Sequence, residues 1–400
     1  MLNAITDPAL WQEFLEYKRE HGHLSKKDLE VWEKFVAQQG YLSVGQTIQE
    51  GSTFAPPRKS EISKMHSEKK RVVYVYSDAE NRILKLLTFL LQRKYDHLFA
   101  PNLYSFRRGK GVRDAVSWLI SRPNIRKMWS YKVDISNYFN SIPVEKLLPL
   151  LEDTLVDEPQ VFRFLVSLLT NPLVNDGGKL VAEEKGIMAG TPVSTFLANL
   201  YLAHVDHYFA RAGVLYARYS DDIILFSPSQ EKLEQNVQRL HQFLAEAGLS
   251  INPAKEARTA PGEKWIFLGI CYLDGVVDIA PASVDKLKAK MRRKARALMR
   301  WKARKDLANI RAAKAFIRVF NQKLFDNPME HELTWALWYF PLLTTAQSLK
   351  VIDNYAQSCI RYLATGKHTK AAYNFRYEQM KELGYISLVN RYYKDTAPEE

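Results

Sequence analysis

Apolar residues recur along this chain in two rhythms, one near the helical period and one of two residues, and the switches between them mark out its elements. Residues 7–42 keep the helical rhythm. Asp7 and Pro8 suit a cap and a first turn, and Leu10, Phe14 and Tyr17 follow at helical spacing. Gly22 interrupts, and Ser25 is the cap candidate for a second helix through Leu29, Trp32, Phe35 and Val36. His21 and His23 at the interruption read as a polar turn rather than metal ligands. Between Tyr41 and Ser60 the rhythm lapses into Gly, Ser and Pro, which reads as a linker or an irregular arm. Lys69–Tyr76 then reads as a strand led by three cations. A helix from Asp78 to Arg93 follows, with Ile83, Leu86, Leu87, Leu90 and Leu91 as its buried face.

Further along, a helix is expected near Asp114–Ser121 and a strand over Trp129–Ile135. Residues 144–171 are helical in pattern, and Asp176-Gly177-Gly178 makes the tight turn of a short hairpin. Lys185–Ser194 is punctuated by Gly186 and Gly190, a flexible entry to an apolar helix over Thr195–Tyr208. Two strand-forming runs, Ala217–Tyr219 and Ile223–Phe226, flank Ser220-Asp221-Asp222. Next come an amphipathic helix over Gln230–Gly248, a strand and turn over Leu249–Lys255, and a β-run over Trp265–Ile270. From Ser283 a helix is expected through Phe325, with Leu287, Met291, Leu298 and Trp301 on its apolar face; residues 329–400 are helical and rich in aromatics. The alternation predicts an α+β chain.

Composition narrows the partner more than the fold. With 400 residues, 46% hydrophobic and 25% charged, the chain can build one large domain or two to three modest ones. Lys and Arg outnumber Asp and Glu by 57 to 44, a net charge of +13, which favours a polyanionic partner. The excess is concentrated: Lys286–Lys305 carries eleven Lys or Arg and no acid, a run that suits tracking a nucleic-acid backbone and would otherwise be a solvated helix face. Cys271 and Cys359 have no disulfide or zinc spacing, which fits a reducing cytoplasm. No leader pattern or membrane-spanning run occurs, so the chain reads as soluble and cytoplasmic, with no membrane partner.

The candidate chemistry lies in the acids. Asp is disfavoured inside strands, so Asp221 and Asp222 between two strand runs read as the tip of a hairpin, where two carboxylates can face a cation. A solvated acidic turn would look the same. Asp134, at the end of another β-run, supplies a third carboxylate, and an all-oxygen set without His or Cys suits two Mg²⁺ ions, with Mn²⁺ as a substitute. In Asn102–Val112 the cations Arg107, Arg108 and Lys110 alternate with glycines ahead of a helix, a pattern shared by phosphate-binding loops and ordinary surface loops.

Taken in order, these stretches resemble a reverse transcriptase. Val133–Phe139 resembles the first catalytic motif, Gly186–Ser194 the template-grip motif, and Ala198-Asn199-Leu200-Tyr201-Leu202 the helix that follows it in bacterial members. Tyr219-Ser220-Asp221-Asp222 resembles the catalytic tip, Asn252–Lys255 the next motif, and Phe267–Ile270 the primer-grip turn. The resemblance implies a right-hand polymerase: a helical N-terminal region and linker (1–60), fingers (61–130), palm (131–280, with finger insertions around 144–185), a basic helical thumb (281–326) and a helical C-terminal region (327–400). It implies that Asp134 and Asp221 coordinate both metals with Asp222 assisting, the metal set being Asp134, Ile135, Asp221 and Asp222. Phe139 falls where the family places a steric gate against a ribose 2′-hydroxyl, so dNTPs are the expected substrates. Gly190, Arg71 and Lys255 are the further nucleotide-binding candidates. Arg107, Arg108, Lys110, Lys290, Arg292, Arg293 and Arg296 are the nucleic-acid contacts.

One departure stands out: family members usually carry Gln before the second glycine of the grip motif, and this chain has Ala189. No ribonuclease H, Cys/His endonuclease or protease pattern follows the polymerase core. The pattern most resembles retron-like and defence-associated bacterial enzymes, which implies RNA-directed synthesis of cDNA from a cognate, co-encoded structured non-coding RNA, with the template-primer duplex as a further partner, in antiphage defence. Template-independent or protein-primed DNA synthesis in abortive infection is an alternative, and a non-catalytic RNA-binding scaffold is another. Oligomeric state is left open.

Overall fold

The computed structural model describes residues 1–21, 24, 26–63, 70–325, 335–367 and 369–397. The expected break at Gly22 and His23, the cap at Ser25, the leading cation Lys69 and the 326–334 stretch lie outside the described residues. The chain divides into two compact units at Pro261 and Gly262.

The first unit opens with the helices Pro8–His21 and Lys26–Ala37. The Tyr41–Ser60 stretch is not a linker: it holds a helix over Leu42–Gln49 and the start of strand β1 (Arg58–Ser63). The reason is burial, since Ile48 and Phe54 are in the core and Phe54 packs edge-on to Tyr76 and Phe164. β1 pairs antiparallel with β2 (Lys70–Val75). The helix after it, Asp78–Tyr95, begins in a reciprocal cap in which Ser77 and Glu80 satisfy each other's backbone amides.

β3 (Trp129–Asp134) starts a second sheet, while β4 (Leu173–Asp176) returns to the first, lies parallel to β1 and turns into β5 (Lys179–Ala182). β6 (Leu215–Tyr219) and β7 (Asp222–Ser227) form the expected acidic hairpin. β7 pairs antiparallel with β3, and β8 (Ala257–Thr259) takes the other edge, in the order β6-β7-β3-β8. Tyr131, Val133, Ile223, Ile224 and Leu225 are buried in this sheet. Leu233, Val237, Leu240 and Leu244 form the buried face of the Gln230–Glu246 helix, which packs on β3 and β7. The apolar helix expected over Thr195–Tyr208 is two, Ser194–Tyr201 and Ala203–Arg211, interrupted at Leu202.

The second unit pairs a small sheet with helices. β9 (Trp265–Phe267), β10 (Ile270–Leu273) and β11 (Val276–Ile279) form an antiparallel meander. The helix expected from Ser283 through Phe325 is two, Pro281–Arg304, which carries the run of cations up to its cap at Lys305, and Asn309–Leu324; between them Asp306 takes a left-handed conformation. These two helices pack on each other and on Gln347–Thr365. Buried Asp353 on the third accepts hydrogen bonds from Tyr385, Ser387 and the Leu388 and Val389 amides, so it caps the last helix, Leu388–Thr396. The α+β expectation holds. Among the described residues no helix is long and apolar enough to cross a membrane.

Candidate active site

Strand register brings the acids together. β3 pairs with β7 so that Asp134 stands opposite Asp222, and the Ile135 amide donates to the Asp221 carbonyl at 3.0 Å. The hairpin between β6 and β7 has a two-residue loop, Ser220-Asp221, with Ser220 at φ 59°. Asp134 is buried at 4% exposure, and Asp221 and Asp222 are half-buried. Burial first, and the neighbouring Asp134 and Asp222 charges next, raise the Asp221 carboxyl above its ordinary pKa. Asp222 is also raised by burial, with Lys132 at 3.5 Å opposing.

The segment after β7 and its helix supplies a cation. The Asn252 amide donates to the Asp134 carbonyl and the Ser136 amide to the Ser250 carbonyl, which stitches this loop to the end of β3. The short Pro253–Lys255 turn then sets the Lys255 ammonium 2.6 Å from Asp134 Oδ2. Lys255 gains charge stabilisation against the burial that opposes it, chiefly from that hydrogen bond. Among the described residues no three His, Cys, Asp or Glu side chains close into a metal cage, and two of the three acids face ammonium groups instead. The donor chemistry nonetheless suits hard divalent ions: all three groups are carboxylates, and at Asp221 the charges of Asp134 and Asp222 crowd in with only Lys255 opposing them.

A cleft of about 520 Å³ opens beside them. Asp134, Asp221 and Lys255 line it together with Phe139, Arg71 and Ala189. After β3 the chain reverses through Asn137, at φ 47°, so that Tyr138 is buried with its hydroxyl on the Ala198 carbonyl while Phe139 is left half-buried in the cleft. Lys70 and Tyr74 of β2 also line the cleft, and neither was singled out by the sequence reading. Gly190 does not line it. A Cβ on Gly190 would lie 3.0 Å from Val73 Cβ, and one on Gly186 would meet the Phe139 carbonyl oxygen at 2.6 Å. The two glycines therefore dock the loop tightly instead of making a flexible entry. Asn140 completes that docking, accepting from the Ala189 amide at 2.8 Å and donating to the Val72 carbonyl.

Beneath the acidic turn lies a buried polar network. The Ser220 amide donates to Ser105 Oγ at 2.9 Å, and Ser105 in turn exchanges hydrogen bonds with the Asn199 side chain. Arg218, fully buried, forms a two-pronged pair with Asp206 and reaches the Ser220 and Asn199 carbonyls. Tyr216 adds a hydrogen bond to Asp206. Together they fix the Ser220 backbone in the turn that carries Asp221. Their signal in the sequence is polar side chains inside apolar elements: Asn199 and Asp206 in the helical stretch, and Arg218 within a strand.

The basic candidates fare differently. Arg107 is a structural strut: its guanidinium grips Asp96 and the carbonyls of Ala100 and Leu103, leaving the side chain 7% exposed. It is therefore not free for nucleic acid, as the sequence reading had it. Lys110 donates to the Pro101 carbonyl and lies over Tyr104, while Arg108 is exposed over the Tyr17 ring. In the second unit, Lys290 and Arg293 flank an apolar groove floored by Leu287, Met291, Phe316 and Phe320. Arg292 and Arg296 stand on the other flank of the same helix, within electrostatic reach of Tyr355. All four are exposed, on two flanks rather than one stripe.

Residues 59–272 match the family model of the reverse transcriptase (RNA-dependent DNA polymerase). The chain is 24% identical over 173 residues to the retron Ec86 reverse transcriptase of Escherichia coli, covering 42% of this chain and 50% of that one. It is 27% identical over 199 residues to an uncharacterized 91 kDa protein in the cob intron of Schizosaccharomyces pombe, covering 48% of this chain and 23% of the other. The chain thus spans half or less of the length of these curated relatives. Its fold is similar to that of apo telomerase from Candida tropicalis, with a TM-score of 0.50 at 12% identity, over 83% of this chain and 60% of the telomerase.

Proposed function

The chain belongs to the reverse transcriptase (RNA-dependent DNA polymerase) family, and from that premise we propose that it synthesises DNA from dNTPs on an RNA template. The observation that carries this reading is the register that sets Asp134 against Asp222 and beside Asp221, in a cleft shared with Phe139 and Lys255. Asp134, Asp221 and Asp222, with the Ile135 backbone, would hold two Mg²⁺ ions, or Mn²⁺ in their place, which when bound activate a primer 3′-hydroxyl and neutralise the departing pyrophosphate. Lys255, half-exposed, and Arg71 and Lys70 on β2 all line the cleft and supply positive charge for the triphosphate. The Phe139 ring occupies the space a ribose 2′-hydroxyl needs, which selects deoxynucleotides. Asn140 and the two docked glycines hold the Ala189 backbone as a fixed wall of the same cleft, in place of the side-chain amide usual in the family.

The template in this proposal is a cognate, co-encoded structured RNA, and the cellular role is antiphage defence. The retron-like motif pattern supports this, as does the identity shared with the retron Ec86 enzyme. The test is to sequence the RNA that co-purifies with the protein and then supply dNTPs and Mg²⁺. The reading expects cDNA complementary to that RNA. DNA of non-templated sequence, or DNA joined covalently to the protein, would instead support template-independent or protein-primed synthesis.

A further inference from the structure

Three cations gather around Trp32 on helices of the first unit, outside the cleft, and a fourth, Arg108, joins them from the loop ahead of Val112. Lys18 lies on Pro8–His21, Arg82 and Lys85 on Asp78–Tyr95, and Trp32 on the helix between them in sequence. The Lys18 ammonium is 5.2 Å from the Trp32 ring centre, Arg82 is 5.5 Å away and Lys85 is 5.6 Å away. The aromatic wall continues from Trp32 to Phe14, Phe89 and Tyr17 by steps of 5.7, 5.2 and 4.7 Å, and Arg108 covers its far end, 5.5 Å from Tyr17.

None of Lys18, Arg82, Lys85 and Arg108 makes a hydrogen bond or ion pair with any described residue. Carboxylates on the same helices are engaged elsewhere: Glu16 and Glu33 hold Arg19, and Glu13 holds Arg93. Asp28 and Asp78 lie close enough to favour the Lys85 charge, but less than burial and Arg82 disfavour it. Lys18 also lies 5.0 Å from the Phe14 ring and Arg82 4.5 Å from the Phe35 ring, but a ring face offsets only part of a cation's charge. Burial first, and the Lys85 charge second, lower the Lys18 pKa to about 8. Burial and Arg82 lower that of Lys85. Like charges held together against these costs, on an aromatic support that keeps their stems fixed, form a preorganised anion site.

We propose that Lys18, Arg82, Lys85 and Arg108 form a second nucleic-acid contact, a phosphate-binding strip that tracks the backbone of single-stranded RNA outside the catalytic cleft. The strip is too long for one phosphate group and its rings are covered by cations, so the recognition is of a phosphate chain and not of bases. It gives Arg108 the role that the cleft does not. The proposal rests on the reading that the chain's partner is RNA.

The test uses the full chain with Lys18→Met, Arg82→Met and Lys85→Met combined, which keeps the apolar stems and removes the charges. Binding of a fluorescently labelled single-stranded RNA is followed by anisotropy across a salt series. Each lost phosphate contact to a single strand flattens the log–log salt slope by about 0.7, so the triple variant should lose about 2 from the slope and bind at least about tenfold more weakly at low salt. Its melting temperature should stay level or rise, because a self-repelling cluster has been discharged. Extension of a short primed template at saturating concentration should be unchanged. An unchanged slope and affinity overturns the proposal, as does a melting temperature lowered by several degrees, which would assign the charges to the fold. Loss of inorganic tripolyphosphate binding with RNA affinity intact would also overturn it, in favour of a small phosphate ligand. Failure of the parent itself to extend the primer would count against the polymerase reading alone.

Discussion

Asp221 is costly to the fold, and the proposed reaction needs it. Its raised pKa means that its ionised form opposes folding: the handicap is absent at pH below the ordinary carboxylate range and grows as pH rises through the folded value. Asp221→Asn should therefore melt higher than the parent at neutral pH in metal-free buffer, by about 1 kcal/mol or 2–4 °C, with the gain gone in acid. The same change should cut DNA synthesis by at least about a thousandfold. Ser105 makes a subtler case. Ser105→Ala removes the acceptor of the Ser220 amide, so the Mg²⁺ concentration for half-maximal synthesis should rise several-fold while the KM for dNTP stays nearly constant. An unchanged Mg²⁺ requirement would remove Ser105 from the positioning network. Asp134, Asp221 and Asp222 stand out in the sequence as a set and in the family's motif order, since each alone reads equally as a cap or turn residue; the strand register brings the three together. Ser105, Asn199 and Arg218 could not be assigned, because their partners lie far along the chain and polar residues in apolar elements do not name whom they meet. Arg107 was misread for the converse reason: its partner Asp96, eleven residues earlier, is not visible as a partner in a glycine-rich loop pattern.

At the level of elements, hydrophobic period identified most helices and strands, including the acidic hairpin and the strand that ends in Asp134. It failed where burial is carried by few residues. The Leu42–Gln49 helix and β1 looked like a linker because Ile48 and Phe54 are isolated apolar positions, and the basic helix looked continuous because the break at Lys305–Ala308 contains no glycine or proline. Asp353 shows how an element can depend on one side chain. It receives four hydrogen bonds that fix the start of the Leu388–Thr396 helix. Asp353→Ala leaves buried donors unpaired and should destabilise the second unit by about 3 kcal/mol or more, with Asp353→Asn intermediate. Chemical denaturation with limited proteolysis of the C-terminal region would check this. Equal stability of the parent and the alanine variant would refute the capping role.

For the whole molecule, the net charge of +13 is not spread evenly: it rises on the Pro281–Arg304 helix of the second unit and again around Trp32 in the first. The second concentration predicts a pH signature. Lys18, lowered to about 8 from 10.5 and facing Lys85, disfavours folding while charged, so its handicap is full below about pH 8 and fades as pH approaches 10.5. Lys18→Met should accordingly melt a few degrees above the parent at pH 7, and the gap should close by pH 10.5; a constant gap would mean packing and not charge is responsible. One proposed reaction, DNA synthesis on an RNA template, ties these features together. Its most direct test is extension of a DNA primer on a defined RNA template by the purified chain with dNTPs and Mg²⁺, beside Asp221→Asn with a melting profile to prove it folded. Full-length DNA complementary to the template is expected from the parent and none from the folded variant. Undiminished product from Asp221→Asn, or product whose sequence ignores the template, would contradict it.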